Sequence, residues 1–150
     1  MSRIQSLFKD VRSGLEPWER TPDRALKEIG RSLRAEDIAQ AIADLDSLSA
    51  TREQIEKETP WDGDATDEVH FAQEELATIL KNIPGDLATC LVEGMRSQYS
   101  GTRFWIGLTL REIQFPGLGP VMEEALESET CPLNRKVFQE ILDASRRGAA

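Results

Sequence analysis

A chain of 150 residues with 39% hydrophobic and 30% charged side chains has the composition of a soluble globular domain, long enough to bury roughly 70% of its unfolded surface. The net charge of −9 is concentrated: residues 35–75 hold thirteen acidic side chains against two basic ones, while residues 1–34 hold eight basic against five acidic. Such a field repels nucleic acid and attracts cationic surfaces. No apolar run approaches the ~20 residues of a membrane span, and the N-terminus lacks the apolar core of a signal peptide. Cys90 and Cys131 form neither a disulfide framework nor a metal-ligand spacing, so the expected address is the reduced cytoplasm.

The first predicted helix covers residues 2–14. Ile4, Leu7, Phe8 and Val11 repeat at helical spacing, with Ser2 as cap and Gly14 as stop. Glu16-Pro17-Trp18 turns the chain. Thr21-Pro22-Asp23 then reads as a helix start, with a hydroxyl cap, a proline at the first position and an acid in the first turn. Ala25, Leu26, Ile29 and Leu33 face inward, and Gly30 weakens this helix. The next stripe, Ile38, Ala41, Ile42, Leu45 and Leu48, predicts a helix over 35–48. Thr51 with Gln54 resembles a capping box for a short helix over 51–58. Residues 59–67, TPWDGDATD, read as an acidic loop, the best candidate for an exposed functional feature.

From Thr66 onward the pattern is continuously helical. Val69, Ala72, Leu76, Ile79, Leu80 and Ile83 make one stripe, closed by Pro84-Gly85; Leu87, Ala88, Leu91, Val92 and Met95 make the next. The stretch 103–117 is the centre of the pattern. Ile106, Leu110 and Ile113 line one face and Phe104, Trp105 and Leu108 another, so this helix needs cover on two sides. Thr102 is placed to cap it and Pro116-Gly117 to end it. A helix opened by Gly119-Pro120 carries Val121, Met122, Ala125 and Leu126, and a last one over 133–146 carries Val137, Phe138, Ile141 and Leu142.

A period is visible in these elements. Ile83-Pro84-Gly85 and Phe115-Pro116-Gly117 stand 32 residues apart. Arg103, Phe104, Trp105, Leu108 and Thr109 fall 33 before Lys136, Val137, Phe138, Ile141 and Leu142, and His70-Phe71 lies 33 before Arg103-Phe104. The unit is helix, Pro-Gly turn, helix, loop, and such units bury their open faces on one another. These residues resemble HEAT or armadillo-like repeats. The resemblance implies an all-α, right-handed α-solenoid of antiparallel helix pairs, about seven to nine helices in all. The whole chain, 1–150, would then be one helical-repeat domain, clearest over 66–147, with residues 50–65 departing from the pattern. It also implies a curved surface that binds another macromolecule.

Catalytic and metal chemistry find little support. His70 is the single histidine, and no serine or cysteine sits in a nucleophile motif. An EF-hand count from Asp62 puts Asp67 where glycine is needed and Gln73 where a bidentate glutamate is needed. No glycine-rich phosphate loop occurs. Arg24, Lys27, Arg31 and Arg34, with Arg20 nearby, make a basic face, but the acidic segment follows at once; the expectation is internal pairing or solvation, not nucleic-acid binding.

The expected function is therefore non-enzymatic protein binding, without cofactor, metal or membrane. The chain loosely resembles small acidic helical immunity proteins of bacterial toxin systems, which implies an inhibitor of a cationic toxin or nuclease. A dense acidic patch can occupy a basic cleft and be steered into it. The expected contacts are Trp61 as an aromatic anchor with Asp62, Asp64, Asp67, Glu68, Glu74 and Glu75. The alternative is a regulatory or scaffolding subunit that holds a peptide or an enzyme.

Overall fold

The computed structural model describes residues 1–148, so the last two residues of the expected domain lie outside it. Seven α-helices and one 3-10 helix account for the described residues, and none of these residues forms a strand. In order they are α1 (Arg3–Arg12), α2 (Asp23–Ser32), α3 (Ala35–Glu58), α4 (Gly63–Leu80), the 3-10 helix (Gly85–Arg96), α5 (Ser100–Glu112), α6 (Leu118–Ser128) and α7 (Pro132–Gly148). No helix among them is long and apolar enough to cross a membrane.

α1 forms as its sequence dictates. Ser2 and Gln5 make a reciprocal capping box, at 3.2 and 3.1 Å, and Gly14 takes the left-handed conformation just past the end. α2 starts differently from expectation. Pro22 holds the cap position with no side-chain bond, because the Thr21 hydroxyl is turned to Glu75 on α4, at 3.3 Å. Gly30 does not end this helix. It allows α2 to lie on the end of α4, where an added Cβ would stand 2.3 Å from the Ile79 carbonyl oxygen.

The predicted break between residues 48 and 51 is absent, and α3 runs unbroken for 24 residues. Thr51 is not a cap; its hydroxyl donates back to the Ser47 carbonyl at 2.9 Å, and no glycine or proline interrupts the helix before Thr59. The connection to α4 is only four residues long. α3 and α4 pack closely on each other, so the chain reverses at Thr59–Pro60–Trp61–Asp62.

α5 is the central element. It packs against α3, α4, the 3-10 helix, α6 and α7. Ile106 and Leu110 are fully buried, and Phe138 of α7 lies where a side chain at Gly107 would be, 2.7 Å from an added Cβ. Thr102 is inside the helix, not its cap. The helix also stops earlier than Pro116-Gly117. Gln114 adopts φ +54°, its N–H bonds to the Arg111 carbonyl at 3.0 Å, and the Phe115 N–H reaches the Leu110 carbonyl at 3.1 Å. This is a Schellman termination with glutamine in the usual glycine position. Pro116 explains the early stop, since the residue before a proline is pushed out of the helical region.

The segment predicted from Leu87 to Met95 is helical but tighter than an α-helix. In a 3-10 helix side chains three apart eclipse, and Ala88, Leu91 and Gly94 accordingly form one buried line, with Met95 buried beside it. Gly94 lets Ile106 of α5 approach, an added Cβ standing 2.6 Å from its Cγ1.

The helices that carry the 33-residue spacing are neighbours: α4 packs on α5, and α5 on α7. On their other side α3 packs on the 3-10 helix and this on α6. The helices joined by each Pro-Gly turn barely touch, whereas those joined by the following loop pack closely. The tight partnership thus lies across the loops, contrary to the expected unit. One apolar core runs through these layers, from Ile4 to Leu142.

Candidate functional site

The expected contact residues separate into two groups. Trp61 stands at the α3–α4 turn with 79% of its surface exposed. Asp62 is the cap of α4, its side chain accepting from the Ala65 N–H at 3.1 Å. The helix begins at Gly63, so Asp64 and Asp67 are not in a loop as expected but, like Glu68, on the first turns of α4. They are exposed there, and Asp64, in the first turn, is favourably placed at the positive end of the helix. None of the ion pairs among the described residues involves these three.

Glu74 and Glu75 belong elsewhere. Glu75 is half-buried and holds the backbone N–H and hydroxyl of Thr21, both at 3.3 Å. Glu74 faces His70 Nε2 at 3.7 Å. The basic face does not pair with the acidic segment. Arg24 pairs with Glu28 on its own helix at 3.6 Å, and Arg20 lies over the Phe71 ring, 4.4 Å from its centre.

A second feature was not anticipated. A cavity of about 370 Å³ opens where α3, α4, α5 and the start of α7 converge. α3 contributes Ser49, Arg52, Glu53 and Glu56, and α4 contributes His70 and Gln73. Phe104 and Trp105 of α5 form a wall with His70; the Trp105 ring lies 5.4 Å from His70 and 5.5 Å from Phe104, centre to centre. Cys131, Leu133 and Asn134 close the far side. Beneath them is a chain of polar groups inside the core. Gln73 is wholly buried, its amide nitrogen 3.5 Å from the Ser49 hydroxyl, which is 3.1 Å from that of Thr102. Gly101 makes room for it, since a Cβ there would stand 2.8 Å from Ser49 Oγ. The Gln73 carbonyl oxygen has no hydrogen-bond partner.

No protein family, curated protein or solved structure matches this chain.

One sequence signal could have revealed the cavity. Ser49, Gln73 and Thr102 each occupy a core position of an apolar stripe, four residues from Leu45, Val69 and Ile106. Polar residues at such positions need partners inside the protein. The rim is fixed by another pair that sequence spacing does not show. Arg103 donates through Nε and Nη2 to Glu129 at 2.7 and 2.8 Å, and the Cys131 N–H donates to the same carboxylate at 3.1 Å. Burial alone would raise the Glu129 pKa, but the bonds from Arg103 and Cys131 and the guanidinium charge outweigh it and hold the carboxyl below its usual value. The bond to Glu129 in turn raises the Arg103 pKa. The pair ties α5 to the turn that starts α7, and so sets one side of the cavity.

Proposed function

We propose that this protein is a non-enzymatic binding module that recognises a basic protein partner through residues 61–68. More specifically, we propose an immunity or inhibitor protein, acting in the cytoplasm on a cationic toxin or nuclease. The observation that carries the reading is the exposed Trp61 beside Asp64, Asp67 and Glu68, three surface carboxylates with no cationic partner among the described ion pairs. Clustered charge on one edge steers a basic surface to it, and an aromatic anchor supplies the contact that water is excluded from. Glu75 is left out of this surface because Thr21 occupies it, and Glu74 because it stands two turns further along α4, beside His70.

We propose a right-handed, HEAT-like solenoid as the architecture, and the close packing of consecutive helices across the loops supports it. Its antiparallel pairs would be α3 with α4, the 3-10 helix with α5, and α6 with α7. In this reading the acidic edge lies at the tip of the first pair, and α1 and α2 cover that end of the stack.

The test is co-expression with candidate basic toxins or nucleases from the same genome, followed by affinity measurement on the partner that is neutralised. Trp61→Ala should weaken binding by more than ~1 kcal/mol while the helical circular-dichroism signal is unchanged. Affinity should also fall as salt rises. Unchanged affinity in Trp61→Ala removes the turn from the interface. Salt-insensitive binding favours the scaffolding alternative instead, for which an apolar groove of about 460 Å³ exists between α1, α3 and α4, lined by Ile4, Phe8, Leu48, Leu76 and Ile79.

A further inference from the structure

The cavity between α3, α4, α5 and α7 has a chemistry that a structural packing defect would not need. Its floor is the wholly buried Gln73, whose carbonyl oxygen is an acceptor without a donor. The oxygen is itself closed to water, so a donor in the cavity reaches it only once the Gln73 side chain turns outward; the free energy that a buried unpaired acceptor costs would then be recovered. Its wall is aromatic, from His70 through Trp105 to Phe104, and aromatic faces attract cations bearing N–H groups. Its charged lining is acidic on balance. Arg52 pairs with Glu56 at 3.2 Å, which leaves Glu53 on the lining and Glu74 behind His70. Arg103 next to the cavity is committed to Glu129.

We propose that this cavity receives a guanidinium or ammonium group, presented by an arginine or lysine side chain of the protein partner. The N–H groups would satisfy the Gln73 carbonyl, the flat or methylene part would lie against Trp105, and Glu53 would balance the charge at the mouth. A volume of about 370 Å³ admits such a side chain, and the opening on the α3–α4–α5 side belongs to the same pair of helices as the acidic edge. The proposal rests on the reading of a basic partner only for where the cation comes from; the chemistry of the cavity stands apart from residues 61–68.

The experiment titrates the full-length protein with Nα-acetyl-arginine methylamide and reads the Trp105 indole and Gln73 side-chain amide resonances by NMR. Saturable shifts of both are expected, together with at least tenfold weaker binding of the citrulline analogue, which keeps the shape and loses the charge. Glu53→Gln and Gln73→Met should each weaken the arginine probe by threefold or more. Glu53 is exposed, so its variant keeps the test alive if Gln73→Met perturbs folding. No saturable shift, or equal binding of the citrulline analogue, overturns the proposal. Spermidine binding a hundredfold tighter than the arginine probe overturns the assignment to a partner side chain and makes the site one for a free amine. A triple variant Asp64→Asn, Asp67→Asn, Glu68→Gln should bind the probe as the parent does. Partner affinity lost in that variant but kept in Glu53→Gln sinks the cavity; the opposite pattern sinks the acidic edge.

Discussion

Carboxylates of two kinds occur in this protein. Glu129 is 4% exposed and carries a bidentate arginine and a backbone N–H. Asp64, Asp67 and Glu68 are exposed and carry none of the described ion pairs. The residue type is the same, but the first holds the fold and the second is available to a partner. Burial decides this. A charge taken from water must be matched inside the protein, and once matched it cannot serve as a contact. Asp37 is as buried as Glu129 but is held at 2.6 Å by Arg3, a partner that itself reaches solvent, and the half-buried Glu75 is held by Thr21.

The gradient predicts a ranking that unfolding experiments can break. Glu129→Gln strands the Arg103 guanidinium at a mostly buried position, and should cost about 3–5 kcal/mol in chemical denaturation. The same residue should set the acid limb of stability. Its folded pKa lies below the unfolded one, so its contribution is complete above the ordinary carboxylate pKa and is lost as pH falls through the lowered folded value. Denaturation midpoints measured from neutral pH downward should therefore fall less steeply in Glu129→Gln than in the parent. An unchanged acid limb would remove Glu129 as its source.

Asp37→Asn comes next, at about 1–2 kcal/mol. It weakens the bond from Arg3 and the one from the Arg34 N–H, the latter at 2.9 Å. Glu75→Gln should cost about 1 kcal/mol, because an amide still accepts from one Thr21 donor. The triple change at Asp64, Asp67 and Glu68 should alter stability least, by a few tenths of a kcal/mol at each position, since all three are exposed and only Asp64 sits in the first turn of α4. If those three changes destabilise as much as Glu129→Gln, the division between structural and available carboxylates is wrong.

Much of the architecture is written in local pattern. The Ser2 cap, the Gly14 stop and the two Pro-Gly turns are all short-range signals, and each lies at a helix boundary of the fold. The misreadings share a cause. Thr21, Thr51 and Thr102 have the side chain of a cap, but their hydroxyls bond to Glu75, to the Ser47 carbonyl and to Ser49. Tertiary and mid-helix partners compete with capping and leave no mark at i+3. The Arg103–Glu129 pair spans 26 residues, so no periodicity exposes it. Trp61 was legible as exposed because proline and glycine flank it, whereas the cavity required three separate stripes to be superposed.

Gln114 offers a smaller test that separates backbone from charge. In its left-handed conformation a glycine avoids the Cβ clash, so Gln114→Gly should stabilise by about 0.5–1 kcal/mol, net of the freer unfolded chain. A loss would mean that the glutamine side chain itself contributes there.

The 3-10 helix also has a consequence for length. At ~2.0 Å per residue its twelve residues reach ~24 Å, whereas an α-helix of the same count would reach ~18 Å at ~1.5 Å per residue. The segment thus spans the layer beside α5 with fewer residues than an α-helix would need. Relaxing it to α would draw its ends together by ~6 Å and pull on Pro84 and Ser97. The small residues Ala88 and Gly94 lie on its buried side, and Gly94 is what lets Ile106 of α5 approach it.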